Sequence, residues 1–154
     1  MRKASLFQKL SIVIWVLFTG VLLSSCKYAV PEDRRVDVIS EIAEIVNDNY
    51  SCEDVETPYQ ISMSDIDELA DESGYLHKAF GKYSDVQQYK VFLLDNNAVL
   101  VVTDVIFHKV EGYVVSDDVL EHTLPAPNLG YDADRIGIVD RIEGTNIYTC
   151  SAGL

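Results

Sequence analysis

The chain has 154 residues, enough for one domain with a sizeable core, and sets 12 Lys and Arg against 25 Asp and Glu, a formal net charge of −13. That balance excludes nucleic acid as a partner, because phosphate binding needs clustered cations that release counterions. It also disfavours adhesion through charge to anionic lipid headgroups, and no internal repeat or low-complexity segment breaks the sequence.

Arg2, Lys3 and Lys9 open the chain, and an apolar run from Leu10 to Leu23 follows, interrupted only by Ser11, Thr19 and Gly20. As a helix rising about 1.5 Å per residue the run reaches roughly 21 Å, short of the roughly 30 Å hydrocarbon core. It therefore reads as a secretory signal rather than a permanent span. The run ends in Leu23-Ser24-Ser25-Cys26, which resembles the lipobox of bacterial lipoproteins: an aliphatic residue, two small residues, then the thiol. The resemblance covers residues 1–26 alone. It implies a signal peptide over 1–25, a diacylglycerol thioether on Cys26 and often a further N-acyl chain, and two or more chains anchor stably where one does not. Lys27 rather than Asp after the cysteine fits the outer membrane of a Gram-negative host. The expected location is a bacterial cell membrane or outer membrane, with a lipid-anchored domain facing the periplasm or the cell exterior. Three basic residues and no acidic ones precede Cys26, so the remaining 129 residues carry a net charge of −16.

Residues 26–31 read as a lipidated tether and 32–154 as a single acidic domain. Pro31 suits the first turn of a helix, and Glu32 and Asp33 favour its positive end. Val36, Ile39, Ile42, Ala43, Val46 and Tyr50 recur at three- and four-residue spacing, which predicts an amphipathic helix over about 32–49. Ser51 to Ile61, with Pro58, reads as a loop. A second helix is expected from Ser64, with Ser64 as cap, Ile66, Leu69 and Ala70 inward and Gly74 as its end. Tyr75 to Tyr83 suggests one more helical turn closed by Gly81.

From Tyr89 onward β-branched and aromatic residues dominate. Val91–Leu94 and Ala98–Phe107 flank Asp95-Asn96-Asn97, a hairpin signal because Asn and Asp tolerate left-handed backbone angles. The unbroken Ala98 to Val102 run predicts a central strand covered on both faces. A turn is expected near Glu111-Gly112, then a strand through Tyr113 to Val115. Pro125, Pro127 and Gly130 read as a loop, and Arg135–Ile142 with Asn146–Ser151 as a last hairpin around Glu143-Gly144. The fold class is α+β, with one or two N-terminal helices packed on an antiparallel sheet of about five strands, in a roll-like order.

Between Arg35 and Lys78 the sequence holds twelve acids and no Lys or Arg. Such a face attracts a cationic protein or peptide within a Debye length of about 8 Å, and it serves equally as an ordinary solvated surface. Export would let Cys52 and Cys150 pair across a loop of about 99 residues, worth roughly 4 to 5 kcal/mol on the chain-entropy model; two unpaired thiols are the other reading. Asp132, Asp134, Asp140 and Glu143 fall at positions 1, 3, 9 and 12 of a calcium-loop pattern, with Gly137 at position 6. Ile136 breaks it at position 5 and no helices flank it, so a hairpin is favoured and no metal or other cofactor is expected.

No HExxH, GxSxG or telling Cys-His spacing accompanies His77, His108 and His122. The expected function is therefore a non-enzymatic binding module at the envelope, of the immunity or inhibitor type. The alternative is a small enzyme or small-ligand-binding domain with a cavity between helix and sheet, containing several of Asp104, His108, Glu121 and His122.

Overall fold

The computed structural model describes residues 29–106, 109–118, 120, 123–128 and 135–153. The expected signal segment and Cys26, together with His108, Glu121, His122, Asp132 and Asp134, lie outside them.

Helix α1 spans Glu32–Asn49, with Glu32 and Asp33 in its first turn. Its inward stripe is Val38, Ile39, Ile42, Ala43 and Val46, all buried, and each fully buried Val or Ile contributes about 1.5–3 kcal/mol. Burial begins before the helix: Val30 is 2% exposed, and its N–H donates to both oxygens of Asp85 at 3.1 and 3.2 Å. The supposed tether is thus core by Val30.

Strand β1 spans Tyr59–Ile61, helix α2 Met63–Leu69 and helix α3 Tyr75–Lys82. The cap of α2 is Ser62, whose side chain accepts from the Asp65 N–H at 3.1 Å, and not Ser64. Ile66 is buried as the spacing requires, but Leu69 is 44% exposed. Gly74 does not end α2; it sits at the N-cap of α3, where a Cβ would collide with Glu41 Oε1 and stand 2.9 Å from the Asp71 carbonyl oxygen.

The remaining strands are β2 Lys90–Leu93, β3 Val99–Ile106, β4 Lys109–Val115, β5 Thr123–Pro125, β6 Arg135–Arg141 and β7 Ile147–Gly153. They form one antiparallel sheet in the order β1-β2-β3-β4-β7-β6-β5, curled as a half-barrel. The fold is α+β, with three helices and seven strands among the described residues in place of the expected five strands. The two extra strands, β1 and β5, have three residues each and lie at the sheet's two edges.

The β2–β3 turn lies at Asp95–Asn97, with positive φ at Asn96 and Asn97 as the residue types require. The expected turn at Glu111-Gly112 is overturned, because both residues lie inside β4 and the chain reverses between Ile106 and Lys109. Gly112 answers to close approach: a Cβ there would collide with the Val101 carbonyl oxygen and stand 3.1 Å from Val102 Cα.

Strand β3 is the buried axis of the sheet. Val99 and Val101 face the helices in one apolar cluster with Ile39, Ile42 and Val46, while Leu100 and Val102 face a second cluster with Phe92, Val114, Ile136 and Cys150. Leu120, Leu124 and Ala126, from the connection after β4 and from β5, pack on that second face. The alternation follows from the two-residue period of a strand.

The two described cysteines sit in different elements. Cys52 follows α1, and its backbone N–H bonds the Asn97 side chain at the β2–β3 turn. Cys150 is buried in the second cluster and pairs with Gly112. The structure carries both as free thiols.

Candidate binding surface

The acids of the first half project from α1 and the segment after it. Asp37, Glu41, Glu44 and Asp48 follow one another at four- and three-residue spacing, so they form a stripe along one side of α1. A groove of about 690 Å³ runs between this stripe and the chain from Leu69 to Tyr75. Asp71 closes its far wall, and Ile45, Leu69 and Tyr75 give it apolar surface. No Lys or Arg is among the residues lining it.

Its two walls are joined by a carboxylate. Glu41 Oε2 accepts from the Leu76 N–H at 2.8 Å, so a side chain of α1 caps the first turn of α3, where amides are otherwise unpaired. Asp71 is organised too: its Oδ1 accepts from the Ser73 N–H and hydroxyl, each at 2.8 Å. These bonds to Ser73, with Lys78 nearby, hold the Asp71 carboxyl below its usual range. Asp37, Glu44 and Asp48 are exposed. The groove's chemistry is that of two held carboxylates and three exposed ones beside a strip of apolar surface, suited to a cationic side chain with an aliphatic stem.

A second concavity, of about 420 Å³, lies on the helix-free side between the β2–β3 turn and β5. Leu94, Ala98, Leu120 and Leu124 wall it, with Ser116, Asp118 and Arg135 as polar groups. Ser116 is buried, and its hydroxyl accepts from the Asp118 N–H at 3.2 Å. The Arg135 Nε–H donates to Thr123 Oγ1 at 2.9 Å.

The other sequence-stipulated residues are dispersed. Asp104 is half-buried on β3, beside Arg35 rather than in either concavity. Asp140 lies in the extended strand β6, where its backbone N–H donates to Thr149 Oγ1 at 3.2 Å, and Glu143 is exposed in the turn that follows. Among the described residues no group of three His, Cys, Asp or Glu is placed to hold a metal ion. His77 Nδ1 stands 3.7 Å from Asp67 Oδ1.

A polar cluster that the sequence did not disclose joins α1 to the sheet. Arg35 hydrogen-bonds Tyr113 and stands within electrostatic reach of Tyr89 and Asp104, and its Nη2 donates to the Val30 carbonyl at 3.5 Å. The Tyr89 hydroxyl reaches Asp85 Oδ2 at 3.3 Å. Burial, with the Asp85 carboxylate second, pushes the Tyr89 phenol above its usual range. No apolar periodicity announces such a cluster, because its members come from four separate stretches of the sequence.

Among the described residues no helix is long and apolar enough to cross a membrane. Comparison with known proteins found no match: no protein-family model, no curated protein and no solved structure resembles this chain significantly.

Proposed function

We propose that the chain is a membrane-anchored envelope lipoprotein whose domain is a non-enzymatic binding module for a cationic protein or peptide, of the immunity or inhibitor type. The observation that carries this reading is the stripe of Asp37, Glu41, Glu44 and Asp48 facing Asp71 across a groove lined by no cation. The lipobox at Leu23 to Cys26 supplies the address. Each exposed ion pair adds only about 0.2–1 kcal/mol, so recognition needs several pairs at once, which a four-acid stripe offers.

A photo-crosslinking residue placed at Glu44 in intact cells tests the proposal, with the same residue at Val139, 58% exposed on β6, as the control. A basic protein captured from position 44, absent from position 139 and lost on Asp48→Lys, is the expected result. No adduct above background from position 44 would refute it.

A second reading, small-ligand binding, has the helix-free concavity in its favour, because apolar walls there surround a few polar groups. Chemical shifts of Leu94, Leu120 and Leu124 methyl groups that move together on adding a small apolar compound would support it. Unmoved shifts would dispose of it.

A further inference from the structure

The lipid-bearing position and the domain are too closely joined for the domain to swing freely, and the geometry points to one fixed face of it resting on the bilayer. This inference rests on the lipid-anchor reading. Val30 is locked to the body on both sides: its N–H is held by Asp85 and its carbonyl by Arg35. Cys26 lies four residues earlier in the sequence. An extended chain spans at most about 3.6 Å per residue, so an anchor on Cys26 stands within about 14 Å of a buried residue.

Val30 marks one end of the molecule. From there α1 runs its 18 residues, about 27 Å, to the opposite end, where Cys52 bonds Asn97 at the β2–β3 turn. The Asp85–Tyr89 segment that holds Val30, and the β3–β4 reversal between Ile106 and Lys109, lie at the Val30 end: Asp104 of β3 stands within electrostatic reach of Arg35, and Ile106 and Lys109 pair beyond it. The anchor therefore brings this end, and not the far one, to the headgroups.

Charge separates the two ends in the same sense. At the Val30 end cations are interleaved with the acids and offset part of their charge: Arg34 lies 3.8 Å from Asp33 and 3.4 Å from Asp37, and Lys109 pairs with Glu111. Val105, 37% exposed, adds apolar surface beside the reversal. The far end gathers Glu53, Asp54, Glu56, Asp95, Asp117 and Glu143, with Arg141 as its cation. An anionic headgroup layer repels such a cluster within a Debye length of about 8 Å, whereas the end with interleaved cations meets a weaker repulsion. Anchor and electrostatics thus agree, and the acidic end faces away from the bilayer.

Full-length protein in phosphatidylethanolamine and phosphatidylglycerol vesicles provides the test. Lys109→Cys and Glu143→Cys are made separately in a Cys52→Ser background and labelled with a thiol-reactive fluorophore; the buried Cys150 is spared under native conditions. Quenching by spin-labelled headgroups should cost the label at position 109 most of its emission and leave that at 143 unchanged. Insertion of a long Gly-Ser segment after Lys27 should abolish the difference. Equal quenching at both positions in protein that co-floats with vesicles would overturn the fixed orientation and leave the anchor standing. Failure to co-float would overturn the anchor, and the orientation with it.

Discussion

Gly112→Ala tests the register of the central strands directly. A methyl at this position points into backbone: it collides with the Val101 carbonyl oxygen and lies 3.1 and 3.2 Å from Val102 Cα and Val101 carbonyl carbon. Backbone of the most buried strand cannot rotate away as a side-chain tip would. Overpacking a well-packed interior costs about 1–3 kcal/mol, and this site belongs at the upper end. Restricting the unfolded chain returns about 0.5 kcal/mol, leaving a net loss of roughly 2.5 kcal/mol. At about 4 °C per kcal/mol for a domain of this size, Tm should fall by about 10 °C. Thermal unfolding followed by circular dichroism reads it, with Gly137→Ala as control, because a Cβ there first meets the Ser151 carbonyl oxygen at an ordinary 3.4 Å. A Gly112→Ala protein melting with the wild type would refute the pairing of Val102 with Gly112.

Loss of the α2 cap in Ser62→Ala should cost about 1 kcal/mol, whereas Ser64→Ala should leave the denaturant midpoint nearly unchanged; the reverse order would restore Ser64 as the cap. Iodoacetamide at pH about 8 should modify Cys52 first and Cys150 only on unfolding, because burial pushes the Cys150 thiol up to about 12 and the thiolate is the nucleophile. Intact mass measures this, and resistance of both thiols until reductant is added would instead reveal a bridge. Stability should also fall in alkali. Cys150 and Tyr89 both have folded values above their unfolded ones, so their contribution is whole below pH about 9 and is lost as pH rises toward about 12. Urea unfolding at a series of pH values should show this slope flattened in Tyr89→Phe and Cys150→Ala; an unchanged slope in both would contradict the assignment.

Periodicity made the large elements legible and left the small ones hidden. Ile39, Ile42, Ala43 and Val46 announced α1 because five turns of spacing accumulate signal, and Asn96-Asn97 announced the β2–β3 turn because few residues accept a positive φ. Tyr59–Ile61 and Thr123–Pro125 carry only three residues each, and both elements include or follow a proline. They are strands because β2 and β6 supply ladder partners, a fact external to their own sequence. In sequence Gly112 reads as a turn and Gly74 as a helix end for one shared reason. A glycine needed for left-handed backbone and one needed for close approach look the same in sequence, and only Val101 and Glu41 distinguish them. Of the candidate surface, the acidic bias was visible, but not that Leu69 and Tyr75 would face it to make a groove. The clamp on Val30 was invisible, since Asp85 lies 55 residues away.

Fatty-acid labelling tests the account most directly, since the address, the outward acidic end and the envelope partner all descend from Cys26. Cells expressing the wild-type chain and Cys26→Ala are grown with an alkyne-bearing palmitate, and the purified proteins are compared by mass and by click-labelled fluorescence. The wild type should carry label and begin at an acylated Cys26 after loss of residues 1–25, and Cys26→Ala should carry none. Label retained by Cys26→Ala, or a wild-type chain bearing no acyl group, would contradict the account.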